Sequence, residues 1–316
     1  MSKVGSHRNF GYGKQMAWAG KQALRDRYGN GRYGTINGHT ERWGQFVNWC
    51  REERQIRDAR SVDSDVVEGY GKSLKQSVAE GMSPAYAQNL LSSVNVVLEA
   101  MRGDRQIRVA PAHLIGQRSR ARTDAPAGLD QRIVRQCADR LRENGHERIA
   151  ALVEIARALG LRLKEASLLN ARIALGQAKK HGAVNITAGT KGGRGHRVDR
   201  WVPVSGAAIG CLVRAAAAQG RDRNLIPTDV SWRQWNSKVH HVWSAVRNDF
   251  GLKKIHDLRA AYACQRYRQL TGSVAPVIAG RRCTDRSIDR AARQTIAQEL
   301  GHARIDVVAA YIGGSR

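Results

Sequence analysis

Leu159-Gly160-Leu161-Arg162-Leu163-Lys164-Glu165-Ala166 stands where one pattern stops and another begins. Before it, Ile149, Leu152, Val153, Ala156 and Leu159 recur at helical spacing, and Gly160 ends the run. Ile133, Val134, Cys137 and Leu141 mark the preceding helix. Beyond it the period changes. Val184 and Ile186 alternate with polar residues, and Arg197 to Val204 contains Val198, Trp201, Val202 and Val204. Between these runs lies Gly189-Thr190-Lys191-Gly192-Gly193-Arg194-Gly195, a glycine-rich hairpin turn. After the hairpin the pattern is helical to the end. Residues 128–316 therefore predict a mainly α domain with a small antiparallel β-sheet.

Upstream, residues 14–114 read as a separate helical module. Trp43, Phe46, Val47 and Cys50 share one face, as do Val67, Tyr70, Leu74 and Val78. Ser83-Pro84 marks a helix start, and the stripe Leu90, Val94, Val97, Leu98, Met101 ends at Gly103. With a first helix over 14–28, four helices are expected. Residues 1–13 are polar and glycine-rich, which predicts a flexible N-terminus. Apolar periodicity also lapses over 115–127, read as an interdomain linker. Its Arg118, Arg120 and Arg122 either follow a phosphate backbone or simply keep the linker solvated.

The length of 316 residues fits two domains at about 150 residues each. The 53 Lys and Arg against 27 Asp and Glu give a net charge of +26, which suits a polyanionic partner. Residues 128–316 hold 33 of the basic and 15 of the acidic residues, so both parts are basic. No apolar run reaches the roughly 18 residues of a membrane span. The N-terminus lacks the apolar stretch of a secretory signal. The five cysteines are scattered with no C-x-x-C pair, which argues against a disulfide framework or a zinc site. Each is expected to be a small buried hydrophobe in a reducing, cytoplasmic setting.

Four segments of the second part carry candidate chemistry. They are Gly160-Leu161-Arg162 with Glu165, Lys191 in its turn, His256-Asp257-Leu258-Arg259, and Leu300-Gly301-His302 with Tyr311 nine residues after the histidine. No phosphate-loop, nucleophile-elbow or zinc-helix motif accompanies them. Taken singly, each has a bland explanation: a helix-end arginine, a turn lysine, structural histidines, a packed tyrosine. Together, in this order, they resemble the tyrosine recombinase (phage-integrase) family, which shows G-L-R-x-x-E, a hairpin lysine, H-x-L-R, and L-G-H followed by a tyrosine.

The resemblance covers about residues 128–316 by motif, with 14–114 similar to the family's core-binding domain in length, helix count and position. It implies a clamp around double-stranded DNA and site-specific recombination through a 3′-phosphotyrosyl intermediate, in a bacterial mobile element. Neither metal, ATP nor any other cofactor is implied. Arg162 and Arg259 would hold the scissile phosphate, since guanidinium groups are planar and permanently charged. Tyr311 would be the nucleophile, with His256 accepting its proton because a phenol of pKa about 10 needs help at neutral pH. Lys191 would protonate the leaving 5′-oxygen, His302 would hydrogen-bond the phosphate, and Glu165 would support Arg162. The partners implied are duplex DNA, a homo-tetramer on two sites, and an accessory DNA-binding protein.

Two features depart from the family pattern. Ala260 occupies a position where the family often has histidine. An additional segment over about 271–293 carries Arg281, Arg282, Arg286, Arg290 and Arg293, with 282, 286, 290 and 293 on one helical face. This stripe, with Arg194 of the hairpin, either grips phosphates or is a solvated basic face. Two other functions compete: a non-catalytic DNA-binding accessory protein on a recombinase-like fold, and an RNA-binding protein, for which a 6% aromatic content offers few stacking residues. Within the enzyme class, a relaxing type IB topoisomerase is the alternative.

Overall fold

The computed structural model describes residues 7–315. The chain divides into two compact units, Met1–Ser119 and Arg120–Arg316. Among the described residues the fold is mainly helical with one two-stranded antiparallel sheet, as the sequence predicts. Among the described residues no helix is long and apolar enough to cross a membrane.

The first unit is built from α1 (Met16–Tyr28), α2 (Tyr33–Glu53), α3 (Ser64–Ala79), α4 (Pro84–Arg102) and the short α5 (Pro111–Ile115). Helix α4 is central. Leu90, Leu91, Val94, Val97, Leu98 and Met101 are all buried in it, so it packs against neighbours on more than one side. Pro84 opens the helix and Gly103 closes it, although the Ser83 hydroxyl makes no capping bond. Trp43 and Phe46 of α2 are fully buried, and the Trp43 indole N–H donates to the Met16 carbonyl at 3.0 Å.

Residues 1–6 of the expected flexible segment lie outside the described residues. The part that follows is packed rather than loose. Asn9 and Phe10 are buried. The Asn9 backbone N–H donates to Asp58 at 2.9 Å, and its side-chain carbonyl accepts from the Ala59 N–H at 2.8 Å. A short polar side chain here satisfies backbone groups of a neighbouring turn, which periodicity does not register.

The second unit contains α6 (Gln131–Glu143), α7 (Glu147–Leu159), α8 (Leu163–Leu168), α9 (Ala171–His181), strands β1 (Ala183–Asn185) and β2 (Trp201–Pro203), α10 (Gly206–Gln219), α11 (Trp232–Val246), α12 (Ile255–Thr271), α13 (Pro276–Ala279), α14 (Arg286–Glu299) and α15 (Ala309–Ile312). Helix α7 runs through the core, with Ile149, Leu152, Val153, Ile155, Ala156 and Leu159 buried. Its Glu154 is also buried, and is neutralised by Arg142 and by Arg214 at 2.7 Å.

Strand pairing places Val184 opposite Val202. The strands are shorter than the alternation suggests, because the connection folds back on itself. A Cβ at Gly195 would lie 2.3 Å from the Thr187 carbonyl oxygen, so glycine lets the two backbones meet. Lys191–His196 form a 3-10 turn rather than a tight hairpin loop.

The cysteine expectation needs correction in part. All five are free, and Cys50, Cys137 and Cys264 are buried, but Cys211 is half-buried and Cys283 is exposed. Cys283 sits in the bend before α14, outside the periodic stretches on which the expectation rested.

Candidate active site

The site gathers at the ends of four elements. Helix α7 ends at Gly160, whose φ of +62° is left-handed. A Cβ there would also lie 2.4 Å from the Tyr262 ring, so both backbone and packing require glycine. This turn delivers Arg162 to the N-cap of α8. The Arg162 backbone N–H donates to Glu165 at 2.8 Å, and its guanidinium donates to the same carboxylate at 2.5 Å. The three-residue spacing of Arg162 and Glu165 thus closes a capping arrangement.

Glu165 is fully buried and serves three arginines: Arg162, Arg200 at 2.9 Å and Arg259 at 3.4 Å. Burial would raise its pKa, but Arg200, Arg259 and Arg162 outweigh this and hold it below the usual carboxylate range. The three-residue spacing points to Arg162 alone as the partner of Glu165, and the fold adds Arg200 and Arg259. Arg200 was missed, although strand alternation contains a signal for it. The parity that turns Val202 inward and leaves Trp201 exposed also turns Arg200 inward.

His256 and Arg259 lie three residues apart at the start of α12, on one helix face. Arg259 is fully buried. It donates to the carbonyls of Gly160 and Leu300, and lies 3.5 Å from His302 Nε2. Its Nε approaches the Tyr311 hydroxyl at 3.4 Å, and its guanidinium stands 5.5 Å from the centre of the Tyr311 ring. Burial and then Arg162 push its pKa down to about 10, which leaves it cationic at neutral pH. Its donors are therefore taken up by protein groups, including the tyrosine itself.

Tyr311 sits on α15 and is 5% exposed. A 3-10 turn over Ile305–Val308 folds the chain between His302 and Tyr311, and His302 Nε2 lies 3.1 Å from the tyrosine hydroxyl. Burial, then Arg259, Arg162 and Arg200, push the His302 pKa down to about 4. A neutral imidazole can accept the phenolic hydrogen bond. The His256 ring centre lies 5.7 Å from that of Tyr311, against 5.6 Å for His302, and the His256 pKa is also lowered, by partial burial and by Arg259 and Arg162. Both histidines thus pack beside the Tyr311 ring, and His302 is the one within hydrogen-bond distance of its hydroxyl.

Lys191 is exposed at the start of its turn. With Arg162, Arg194, Arg200 and His302 it lines a cavity of about 120 Å³. Lys191 therefore joins the other candidates, and Arg194 sits on the same wall.

The remaining basic candidates divide. Arg120 and Arg281 are exposed. Arg118 donates to the Ala85 carbonyl at 2.9 Å. Arg122 pairs with Asp257 at 3.0 Å, and its backbone N–H donates to the Ala309 carbonyl, so it braces the site rather than standing free. Arg282, Arg286 and Arg290 border an open cleft of about 560 Å³. Arg293 borders the same cleft, as the expected stripe has it, but is 5% exposed and held by protein groups. It pairs with Asp289 at 2.8 Å and donates to the carbonyls of Gly313 and Gly314 at 3.0 and 2.9 Å.

The fold is similar to those of solved integrases and recombinases. Residues 118–265 match the family model described as integrase, so sequence and fold resemble the same family. One similar structure is the Tn1549 transposon integrase in complex with transposon right-end DNA. It is 10% identical with a TM-score of 0.59, over 94% of each chain. A lambda integrase dimer bound to a COC′ core site is 13% identical with a TM-score of 0.57, over 95% of each chain. XerH site-specific recombinase bound to difH substrate is 16% identical with a TM-score of 0.54, over 93% of this chain and 80% of that one. No curated protein sequence matches at a significant level.

Proposed function

We propose that this protein is a site-specific DNA recombinase of the tyrosine type, which cuts and rejoins duplex DNA through a 3′-phosphotyrosyl intermediate. The observation that carries the reading is the contact of the Tyr311 hydroxyl with His302 at 3.1 Å and with Arg259 at 3.4 Å. A phenol so placed can lose its proton and keep the resulting charge stabilised.

The Tyr311 oxygen attacks the scissile phosphorus while its proton passes to His302. The bond from phosphorus to the 5′-oxygen breaks, and Lys191 supplies the proton that the leaving oxygen needs. Arg162 neutralises charge on the non-bridging oxygens, whereas Arg259 supports the developing phenolate. His256 is then free to hydrogen-bond the phosphate. A 5′-hydroxyl from a second strand reverses the steps and regenerates the tyrosine. Bond energy is conserved in the linkage, so joining needs no ATP.

The partner of this chemistry is double-stranded DNA, drawn by the charge of +26. Arg120, Arg194, Arg281, Arg282, Arg286 and Arg290 are the candidate phosphate contacts. Exchange between two sites calls for a homo-tetramer, and an accessory DNA-binding protein fits the same scheme. Integration, excision or resolution of a bacterial mobile element is the setting proposed, in the cytoplasm.

The test uses nicked duplexes tiled across the DNA flanking the protein's own gene, with denatured products resolved on a gel. A protein-linked band with wild type and none with Tyr311→Phe supports the reading. Tight binding of both proteins without any linked band refutes it and favours the accessory DNA-binding alternative.

A further inference from the structure

We propose that Arg200 joins Arg162 in the phosphate site, donating from a terminal nitrogen to a non-bridging oxygen of the scissile phosphodiester. The proposal rests on the recombinase reading above.

Charge balance is the first argument. Arg162, Arg200 and Arg259 converge on the single carboxylate of Glu165. That leaves two positive charges in excess, in a cluster where Arg259 is 0% and Arg200 5% exposed. His302 beside them is held neutral. Buried charge without a partner is costly, so such a cluster is set up for an anion. Glu165 is already well served by Arg162 through both backbone and side chain. A third guanidinium is not needed to satisfy it.

The donors of Arg200 give the second argument. Its Nε donates to the Glu299 carbonyl at 2.7 Å, which fixes the plane of the guanidinium. One terminal nitrogen pairs with Glu165 at 2.9 Å, and the other has no hydrogen-bond partner among the described residues. Buried donors without acceptors are rare in folded proteins, and a functional ligand is one recognised reason for them.

Location supplies the third. Arg200 lines the cavity of about 120 Å³ shared with Arg162, Lys191, Arg194 and His302. That volume equals about four waters in the liquid, which is room for a phosphate group. The backbone is rigidly held there, since the Arg200 N–H donates to Asn185 and its carbonyl accepts from Ile186, each at 2.9 Å. Fixed donors of this kind cost no reorganisation when charge develops.

The experiment measures the rate of covalent attachment for wild type, Arg200→Ala and Arg200→Lys on two nicked duplexes. One carries a normal scissile phosphodiester. The other carries a methylphosphonate there, in which one charged oxygen is replaced by a neutral methyl group. On the phosphodiester Arg200→Ala is expected to be slower by about 10²–10³-fold, and on the methylphosphonate its rate should approach that of wild type. Equal slowing on both substrates means a purely structural role and overturns the proposal, as does no slowing on the phosphodiester. If circular dichroism shows Arg200→Ala unfolded, Arg200→Lys carries the same comparison, because lysine restores charge but not the two-pronged geometry. Absence of attachment by wild type on either substrate refutes the recombinase reading itself, and the proposal falls with it.

Discussion

Replacing Glu165 with glutamine removes one charge from a side chain with no exposed surface and ion-pair distances of 2.5, 2.9 and 3.4 Å. The size is unchanged, and the amide oxygen can still accept from the Arg162 N–H. The lost term is the carboxylate between three guanidinium groups. Removing one partner of a buried pair costs about 3–5 kcal/mol. Arg162 keeps 22% of its side chain exposed and can turn toward water, so the lower end, about 3 kcal/mol, is expected. Acid supplies a second signature. The Glu165 pKa is depressed in the folded chain, so its contribution is present above the unfolded carboxylate value of about 4.3 and is lost as pH falls through the folded value. Glu165→Gln should lack that component of acid sensitivity. The assay is the urea dependence of hydrogen exchange in α7 and α8 of the full chain, with and without added phosphate. The substituted protein should open about 3 kcal/mol more easily, and phosphate should recover more of that loss than it adds to wild type. A loss below about 1 kcal/mol, the ordinary range for a surface ion pair, would refute the charge argument.

Three other outcomes follow from the geometry. His302, with its pKa pushed down to about 4, should remain neutral in the free protein far below the usual histidine value of about 6.5. Its stabilising contribution is complete above that value and fades as pH falls toward 4; an imidazole proton signal titrating near 6.5 in NMR would contradict this. Gly160→Ala forces a side chain into a left-handed turn, at about 1–2 kcal/mol, and into the Tyr262 ring, at about 1–3 kcal/mol. A calorimetric melt showing no fall in the transition of residues 120–316 would show that the turn relaxes. Arg293→Gln frees the carbonyls of Gly313 and Gly314 just beyond Tyr311. Charged hydrogen bonds of about 1.5–3 kcal/mol translate to roughly 10–100-fold slower tyrosine attachment, with duplex affinity unchanged; unaltered attachment kinetics would separate this anchor from the chemistry.

Much of the site was legible because its residues lie at fixed offsets inside regular elements. Arg162 and Glu165 are three apart across a helix start, and His256 and Arg259 share one helical face. The approach of His302 to Tyr311 depends instead on a 3-10 turn, whose path a count of nine residues does not specify. Arg259 was expected to face a phosphate. Its position in the first turn of α12 fixes the helix face, but only the fold reveals that the carbonyls of Gly160 and Leu300 take its donors. Arg293 shows the same limit: the helical face was readable, yet the inward pull of Asp289 and the tail carbonyls was not. Arg200 escaped because a charged residue beside a strand reads as solvated, even though period two assigns it to the buried side.

The central claim is that Tyr311 becomes linked to a DNA 3′-phosphate. Trypsin cuts after Arg304 and releases residues 305–316, in which Tyr311 is the only tyrosine. Mass spectrometry of the digested, nuclease-trimmed adduct tests the claim directly. The account predicts that peptide carrying a nucleotide through its 3′-phosphate on Tyr311. An adduct on another residue, or one joined through a 5′-phosphate, would contradict it.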